Sequence, residues 1–599
     1  MSRRIQSRAG NALLAGVAVC LLSPVEAVAQ EKTNTAFADT VIVHARVYTE
    51  NSKHPWAEAV AVRGDKIAAI GSTGDIAAHR GPNTKVIDGA GHLVLPGFTD
   101  SHIHFLDGSL SLLQVSLEQA KTVDEIQQRV KTYAKAHPAL LWILGRGWQY
   151  TTFGASGMPT KAYLDQVVSD RPVYLESFDG HTWWANSKAL ELAGVGKETA
   201  DPLGGKFVRD PVSGEPTGAV KEDAADAVVR RAIPRPSREK VKEALLLGMR
   251  EANKEGLVRG ISPGGVSVEG GDFTALDVYD ELRREGQLTM RFYIASRVEP
   301  SISSDQIDRI VIDKIGDAQR RYHDEWLAAG AAKFFLDGVI ESHTAAMLAP
   351  YSDDPSQSGK LWWEPEKYKH AVGQLERAGV QVYTHAIGDQ AVRLALDAYE
   401  EAQTKTGSSD MRPRIEHIET ISAQDIPRFG RLGVIASFQP LHAYPDDDLM
   451  KVWVPHIGPE RAQRGWVWRS IEKTGGVLAF GSDWPIVTLN PWPGVQNALT
   501  RQTTEGEPPG GFLPTERISL EDAIKGYTWG AAFAAHREKE EGSLEAGKLA
   551  DLILLAQDLF RIPPSEIGKT EVLLTMVGGK VVYESAQWKA RREEKPEGK

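Results

Sequence analysis

Apolar runs of strand length alternate with long helical stretches through the middle of the chain, and this alternation limits the choice of fold more than any other feature. It is typical of βαβ units, in which both faces of a parallel sheet are buried. Eight such runs are good strand candidates, the number that closes a (β/α)8 barrel. They are FTDSHIHF, LVRGIS, RFYIAS, AAKFFLDG, VQVYTHA, RIEHIE, VIASFQP and VLAFGSD.

Two accessory regions accompany the predicted TIM-type barrel, so the expected fold class is α/β. Short β-branched runs broken by turn residues occur near both ends of the chain. We expect residues 30–95 and 541–590 to form one small β-sandwich, with the barrel in 96–540. The first two barrel candidates are too far apart for a normal crossover. Residues from about 107 to 235 are therefore predicted to be an inserted lobe.

Charge and cysteine content exclude several classes of function. The formal net charge is −11, so the protein's field repels nucleic-acid phosphates and anionic lipid. The single cysteine, Cys20, lies in a segment that we expect to be removed. The mature protein is thus expected to bind no nucleic acid and to contain neither disulfides nor thiolate zinc sites.

The N-terminal segment resembles a signal peptide. Three arginines within the first eight residues precede an apolar run over 12–22, which is too short for a membrane-spanning helix. Ala27 and Ala29 provide a cleavage signal, so residues 1–29 are predicted to be removed. We expect a periplasmic or secreted protein that is free of the membrane after cleavage, exported by the Sec or the twin-arginine route. An uncleaved membrane anchor is the alternative.

Residues that can bind metals recur at the ends of the candidate strands, where barrels carry their chemistry. The first candidate ends in His102-Ile103-His104, and a period of two places both imidazoles on one side. Imidazole and carboxylate are ligands that borderline divalent metals such as zinc prefer. The other strand ends provide Lys333, His385, His417 and Asp483.

Taken together, the motifs resemble the amidohydrolase superfamily of metal-dependent hydrolases. The similarity is to the branch that includes N-substituted formamide deformylases (amidohydrolase family 3), and it extends over about residues 40 to 585. It is specific for the family and poorly specific for the substrate. The motifs are LVLPGFTDSHIH, FDGHTWWANSKAL, KFFLDG, THAIGD, RIEHIE, SFQPLH and GSDWPI.

The resemblance implies a role for each of these strand-end residues. His102 and His104 would be ligands of a deeper metal ion, and His385 and His417 ligands of a second. Asp483 would contact metal and act as the general base. One or two divalent ions are therefore expected, with Zn²⁺ the expected element.

The chemical state of Lys333 determines whether the predicted site holds one metal ion or two. An ordinary ammonium repels a divalent cation, so this lysine must either pair elsewhere or be chemically altered. The resemblance implies a carboxylated Lys333 that bridges two ions as a carbamate. The alternative is a buried ion pair with Asp337, and in that case the site would hold one ion.

The expected reaction needs no nucleophile from the protein. A divalent metal lowers the pKa of water towards ~7, so hydroxide becomes available at neutral pH. The chain has no mature cysteine and no convincing G-x-S-x-G motif. We expect hydroxide, hydrogen-bonded to Asp483, to attack a carbonyl carbon, after which Asp483 passes the proton to the leaving nitrogen.

Several further residues are candidates for the surroundings of this site. His181 in the lobe is predicted to stabilise the oxyanion or to bind substrate, although a structural role is equally compatible. His343 and His442 are weaker candidates. Strand alternation assigns Glu416 and Glu419 to the opposite face, so both are predicted to be structural.

Aromatic residues suggest a substrate with an apolar or aromatic substituent. For most of them, packing of the lobe onto the barrel is the stronger interpretation. The tryptophans concerned are Trp148, Trp183, Trp184, Trp362, Trp363 and Trp484.

The sequence therefore predicts an exported metal-dependent hydrolase that cleaves a linear C–N amide bond of a small molecule, such as an N-substituted formamide or N-acyl amine. The same site acting on a cyclic amide, a carbamate or an ester is one alternative. A non-catalytic binding or regulatory barrel is another, and a homodimer is compatible with all of them.

Overall fold

The computed structural model contains an eight-stranded parallel sheet whose neighbours follow one another in chain order. The Ser101 amide donates a 2.9 Å hydrogen bond to the Phe480 carbonyl, which brings the first strand against the eighth. Each of the eight candidate runs contains or overlaps one strand, so the predicted TIM-type barrel is confirmed. The strands are Phe98–Asp100, Leu257–Ser267, Arg291–Arg297, Leu327–Phe335, Gln381–Ala386, Arg414–His417, Ile435–Phe438 and Leu478–Phe480.

The structure describes most of the chain outside its N-terminal segment. The predicted signal peptide, with Cys20, lies outside the described residues. None of the helices within the described ranges combines the length and apolar character needed to cross a membrane. The described residues are 37–156, 158–178, 180–202, 205–267, 275–407 and 410–594.

Helices surround the barrel, and their ends carry the expected local signals. The helix Pro365–Arg377 begins with a proline in its first turn, and the Glu364 carboxylate accepts two backbone N–H groups there. The helix Asp389–Thr406 ends at Gly407, which has a φ of 67°. Glycine adopts this left-handed conformation more readily than residues with a side chain. The other main helices around the barrel are Phe105–Ser111, Arg238–Lys254, Leu276–Arg284, Ile312–Arg321, Ile426–Leu432, Val454–Ala462, Trp468–Glu472, Trp492–Thr500, Leu520–Tyr527 and Trp529–Ala534.

The two ends of the described chain form one β-sandwich, as predicted. Leu95 pairs with Ile553 in an antiparallel ladder, so both ends contribute to the same sheet. Ile42 and Val60 of the other sheet share a buried core with Leu552 and Leu574. One sheet contains Thr40–Val43, Ala59–Arg63, Lys66–Gly71 and Lys85–Asp88, and the other contains Arg46–Tyr48, Trp56–Ala57, Leu93–Pro96, Leu552–Leu555, Val572–Val577 and Lys580–Glu584.

A separate six-stranded sheet follows the first barrel strand and forms the inserted lobe. Apolar side chains are buried on both of its faces, Trp148 and Trp184 in one cluster and Trp183 in the other. These three tryptophans therefore pack the lobe's own core and not, as predicted, the contact of the lobe with the barrel. The strands are Val115–Ser116, Ile143–Trp148, Val173–Ser177, Thr182–Ala185, Lys206–Arg209 and Pro216–Lys221, and the helices are Val123–Ala136, Lys161–Asp165, Ser187–Leu192 and Glu222–Arg230.

The lobe contacts the loop that follows the eighth barrel strand. The Arg146 guanidinium, buried in the lobe, donates a hydrogen bond to the Pro485 carbonyl. It also contacts the Phe178 carbonyl and the Glu176 carboxylate within the lobe. One side chain thus links the lobe to the segment that carries Asp483.

Candidate metal centre

Two imidazoles and one carboxylate meet where the first and eighth barrel strands end. The Nε2 atom of His102 lies 3.4 Å from Oδ1 of Asp483, and Nε2 of His104 lies 3.1 Å from the same oxygen. His102 and Asp483 are buried, whereas His104 is partly exposed. The three side chains are close enough together to bind one metal ion.

Backbone contacts hold these two strand ends together. The Asp483 amide donates a 2.7 Å hydrogen bond to the His102 carbonyl. Oδ1 of Asp100 accepts the amides of His102 and Ser482 at 3.1 and 3.0 Å, and the Ser482 hydroxyl donates to Oδ2 at 2.5 Å. Burial raises the pKa of Asp100 to about 7. Asp100 therefore fixes the spacing between the paired histidines and Asp483.

Glu416 orients the His102 ring. The distance from Nδ1 of His102 to Oε2 of Glu416 is 2.6 Å, which fits Nδ1–H donating to the carboxylate. Arg414 holds the same carboxylate through its Nε and Nη2 atoms at 2.9 and 3.0 Å. With its proton on Nδ1, His102 directs the lone pair of Nε2 towards Asp483.

The prediction that Glu416 lies on the face opposite His417 was wrong. His417 and Ile418 have φ angles of 75° and 49°, so the backbone leaves regular strand geometry at this point. Strand alternation then no longer applies, and both Glu416 and His417 face the centre. Glu419 accepts a 2.8 Å hydrogen bond from Trp453, and its Oε1 lies 3.8 Å from Nδ1 of His442.

A second group of imidazoles lies on the other side of Asp483. Nδ1 of His417 donates to Oε1 of Gln439 at 2.7 Å. The His442 ring is parallel to that of His417 at 5.7 Å, and its Nε2 lies 3.7 Å from Oδ2 of Asp483. His417, His442 and Asp483 are spaced to share one ion. His442, only a weak candidate from the sequence, thus has a place at the centre.

His385 lies beside this group. Its ring centroid is 4.5 Å from that of His417. Its Nε2 atom is 3.3 Å from the Gly338 carbonyl and 3.7 Å from Oδ1 of Asp337. In this arrangement Nε2 of His385 is directed at protein oxygens, so its role as a metal ligand stays a prediction.

Lys333 is fully buried and does not form the alternative pair with Asp337. The Asp337 carboxylate instead accepts the backbone amides of Ala346, Ile387 and Gly388 at 2.8–3.1 Å. The Nζ atom of Lys333 has no hydrogen-bond partner in the described part of the chain and lies 4.7 Å from the centroid of the Phe335 ring. Burial lowers the pKa of Lys333 to about 8.

The electrostatics keep the imidazoles in the form that binds metals. Burial, followed by the charge of Lys333, lowers the pKa of His102 to about 4. Burial also lowers the pKa values of His385 and His417 well below the usual range. Burial raises the pKa of Asp483, but the surrounding imidazoles outweigh this effect and hold it well below its ordinary value. Neutral imidazoles therefore face an ionised carboxylate.

The buried atoms at the centre fit a divalent cation. Within the described ranges, Nε2 of His102, Nε2 of His442 and Oδ1 of Asp483 are buried without a hydrogen bond of acceptable geometry. A neutral imidazole lone pair facing a carboxylate is repulsive, and buried polar atoms ordinarily have partners. A cation between these atoms removes both conflicts, and the set of nitrogen and oxygen donors suits zinc.

The two remaining histidine candidates differ in position. His181, at the start of a lobe strand, places Nδ1 2.9 Å from Oε2 of Glu222, and its charge influences the pKa of His385. It therefore lies within electrostatic range of His385. His343 does not join the centre, because its Nε2 contacts the Asp353 carboxylate at 3.1 Å instead.

Comparison with known proteins identifies the family to which the chain belongs. The model of the amidohydrolase family matches residues 85–583. The chain belongs to the amidohydrolase family. The family match, a similar metal-dependent hydrolase of known structure and the buried nitrogen and oxygen donors all indicate the same activity. This amidohydrolase is a metal-dependent hydrolase.

Three relatives of this amidohydrolase are matched over nearly their whole lengths. It is 33% identical over 558 residues to the protein LONG AFTER FAR-RED 3 of Arabidopsis thaliana, covering 91% of this chain and 92% of that one. It is 26% identical over 556 residues to the N-substituted formamide deformylase of Arthrobacter pascens, covering 92% and 99%. An uncharacterized metal-dependent hydrolase from Pyrococcus horikoshii superposes with a TM-score of 0.69 at 25% identity, covering 88% and 99%.

Sequence reasoning missed three residues at the centre of this amidohydrolase. Gln439 and Glu416 orient the histidines, and Phe335 lies against both Lys333 and His385, 5.1 Å from the imidazole centroid. For two of them, the place in the sequence relative to a barrel strand predicts a side chain at the centre. Phe335 is two residues after Lys333 on one strand, and Gln439 directly follows the seventh strand. Both could have been assigned to the mouth of the barrel from strand period and strand ends alone.

An aromatic surface extends from Phe335. The half-buried Trp362 is roughly parallel to Phe335, with ring centroids 6.4 Å apart. Trp363 is buried in the barrel core, and Trp484 is also part of that core. Of the predicted tryptophans, Trp362 is thus the one next to a residue that contacts Lys333 and His385.

Proposed function

We propose that this amidohydrolase hydrolyses a linear C–N amide bond of a small molecule, an N-substituted formamide or an N-acyl amine. The observation that carries the proposal is the buried Asp483 carboxylate, which lies between two sets of imidazoles with an oxygen that lacks a hydrogen bond. The relative from Arthrobacter pascens, named N-substituted formamide deformylase, supports this substrate class.

His102, His104 and Asp483 would hold one divalent ion, with zinc the proposed element. His417, with His442 or His385, would hold a second ion on the other side of Asp483. Bound there, zinc would supply Lewis acidity and make a nucleophile from water available at neutral pH. Glu416 and Gln439 keep the imidazoles in orientation for this task.

Asp483 moves the proton in the proposed reaction. Its carboxylate accepts a proton from the attacking water as the oxygen adds to the carbonyl carbon. It then delivers that proton to the amide nitrogen as the C–N bond breaks, which leaves an acid and an amine. His181, brought to the mouth by the lobe, is proposed to donate to the oxyanion or to the substrate. The apolar wall of Phe335 and Trp362 would accept an aromatic or apolar substituent.

Asp483→Asn tests the proton transfer. The amide keeps the volume of the side chain but cannot act as the base, so we expect turnover to fall at least about 1,000-fold with the fold retained. Asp425→Asn is the matched control, because Asp425 is a buried carboxylate that pairs with Arg393 and Arg428. Near-normal turnover in Asp483→Asn would remove this residue from its role.

A substrate panel tests the bond. Linear acyl amines, lactams, carbamates and esters would be compared at equal concentration with the zinc-loaded enzyme. We expect the highest kcat/KM on linear formamides or acyl amines. Turnover of esters alone, or of cyclic amides alone, would contradict the proposed substrate class. No turnover with full metal loading would favour a binding protein.

We further propose that Lys333 is carboxylated. Its lowered pKa leaves a substantial fraction of neutral amine, which adds to CO₂ to give a carbamate and a released proton. The anionic product would replace an unpartnered ammonium with an oxygen ligand. Lys333→Ala should lower the metal content by about one ion per chain, and short carboxylates should partly restore it. Unchanged stoichiometry would support a centre with one ion.

Export is proposed from the N-terminal sequence. The arginines, the apolar run and the alanine pair in residues 1–29 carry this proposal. N-terminal sequencing of protein from the periplasmic fraction should find a chain that begins near residue 30. A cytoplasmic protein that retains its first residues would contradict it.

A further inference from the structure

A second cluster of metal-binding side chains lies apart from the centre at Asp483. It consists of His343 and Asp353, both in the segment after the fourth barrel strand, and His456 in the helix Val454–Ala462 after the seventh. We call these three residues the loop cluster. They join two segments that are far apart in the chain.

The distances in the loop cluster fit a hydrogen bond at His343 and are also close to the ligand separations around a tetrahedral ion. Nε2 of His343 lies 3.1 Å from both oxygens of Asp353, and Nε2 of His456 lies 3.4 Å from Oδ2. Ligands about 2.0–2.1 Å from zinc at tetrahedral angles are separated by roughly 3.3–3.4 Å. N–H···O hydrogen bonds extend to about 3.2 Å, so the 3.4 Å separation of His456 from Asp353 is longer than a hydrogen bond, whereas the contacts of His343 are not.

Neighbouring groups fix both imidazoles in position. Nδ1 of His456 lies 3.1 Å from the Ile340 carbonyl, so it donates there and leaves the lone pair on Nε2 directed at Asp353. The His343 ring packs edge-on against Tyr351 at 4.6 Å and lies 4.1 Å from the His456 ring. Tyr351 is itself buried, and its hydroxyl donates to the Ala345 carbonyl. The lone pair of Nε2 in His456 is therefore oriented in advance, and packing holds the His343 ring beside it.

We propose that His343, Asp353 and His456 bind a divalent cation of the zinc type, separate from the ions at Asp483. Two imidazoles and one carboxylate suit zinc, cobalt or nickel, and the exposure of Asp353 leaves a fourth position for water. The ion fastens the loop after the fourth strand to the helix that contains His456. The Ala346 amide of that loop donates to Asp337, beside His385, so the fastened loop also borders the proposed active centre.

Metal titration of paired variants tests the proposal. His102→Asn/His104→Asn/His417→Asn removes ligands from both ion positions of the centre at Asp483, and the metal-free protein would be titrated with Zn²⁺ against a chromophoric chelator. We expect this background to retain one tight ion at the loop cluster. Adding Asp353→Asn or, separately, His456→Gln should weaken that ion at least 100-fold. His370→Gln is the matched control, because His370 pairs with Asp308 at 2.9 Å as a lone histidine–carboxylate contact.

Thermal unfolding provides a second measurement. Zn²⁺ should raise the Tm of the background and of His370→Gln but not that of Asp353→Asn. If the background does not fold, the intact chain and its single Asp353→Asn variant can be compared, with one ion fewer expected in the variant. Equal stoichiometry and equal zinc-dependent Tm would overturn the proposal and leave a metal-free His–Asp–His hydrogen-bond chain. These readouts do not depend on turnover, so failure of the proposed amide hydrolysis would not affect them.

Discussion

Two buried hydrogen-bond acceptors fix the tautomer and the orientation of imidazoles at the metal centre. Glu416 accepts from Nδ1 of His102, and Gln439 accepts from Nδ1 of His417. In His102 the other ring nitrogen, Nε2, is left for a metal ion, and in His417 the bond to Gln439 fixes the ring beside Asp483. Partners of this kind contribute to metal affinity because they fix the tautomer and the direction of the ring.

Gln439→Leu should lower metal affinity about 10- to 100-fold, because the shape is nearly kept while the acceptor for His417 is lost. The measurement is competitive zinc titration together with kcat. Gln496→Leu serves as control: Gln496 is also buried, but its side chain bonds to the backbone of Thr503 and Gly568 and not to an imidazole. Equal zinc affinity in the two variants would show that Gln439 only fills space.

At the residue scale the sequence predicted the identity of most groups at the centre but not all of their directions. The His-x-His pair and Asp483 could be assigned because a strand has a fixed period and its end faces the barrel mouth. Glu416 could not, because the positive φ of His417 breaks that period, and φ is not visible in the sequence. The sequence could not distinguish the roles of His343 and His442, because the loops that carry them have no periodicity from which to place the side chains.

The ends of the first and eighth strands approach so closely that one position between them accepts no side chain. A Cβ atom on Gly481 would lie 2.5 Å from the His102 amide nitrogen and 2.7 Å from Oδ1 of Asp100. Both of these atoms belong to the network that spaces His102 from Asp483. The glycine is therefore required by the contact between two elements rather than by its own backbone angles.

Gly481→Ala should displace the paired-histidine segment, lower metal content and reduce activity at least about 10-fold, since an added methyl in a tight contact costs typically 1–3 kcal/mol. Metal analysis and thermal unfolding check this. Gly373→Ala is the control, because the structure leaves open space for a Cβ at that helical position. Its stability should be unchanged or increased by up to about 1 kcal/mol. Full metal occupancy in Gly481→Ala would contradict the argument.

At the element scale the barrel was predictable because its strands are buried on both faces and appear as continuous apolar runs. The fifth strand, Gln381–Ala386, is buried at every position and was found in this way. The sandwich was predictable from similar strand texture near the two chain ends. The lobe strands near Lys206 and Pro216 were not found individually, because they are short and polar on one side.

At the scale of the whole molecule, the lobe contacts the barrel next to the candidate metal centre. Arg146 connects the lobe to the Pro485 carbonyl, two residues after Asp483, and the lobe carries His181, which lies within electrostatic range of His385. The position of His181 relative to His385 thus depends on how the lobe is held. A small shift of a group that binds substrate can lower the rate substantially.

Arg146→Met should raise KM or lower kcat/KM by roughly 10-fold, because the lobe loses its bond to the Pro485 carbonyl while the metal ligands stay in place. Steady-state kinetics and metal analysis measure the two effects separately. Arg171→Met is the matched control, since Arg171 donates to the carbonyls of Ala134, His137 and Leu140 within the lobe. It should reduce thermal stability without changing KM. The same KM change in both variants would argue against a specific role for the Arg146 link.

The sandwich has a consequence for biosynthesis. Arg46 and Asp558, which pair in it, are 512 positions apart, so the ribosome must make almost the entire chain before the early strands meet their partners. At about 5–20 residues per second, roughly half a minute or more passes with the apolar side of Arg46–Tyr48 and Leu93–Pro96 uncovered. Such strands invite wrong pairing while they wait. The nascent protein is accordingly a natural client for a holdase chaperone until its last β-hairpin emerges.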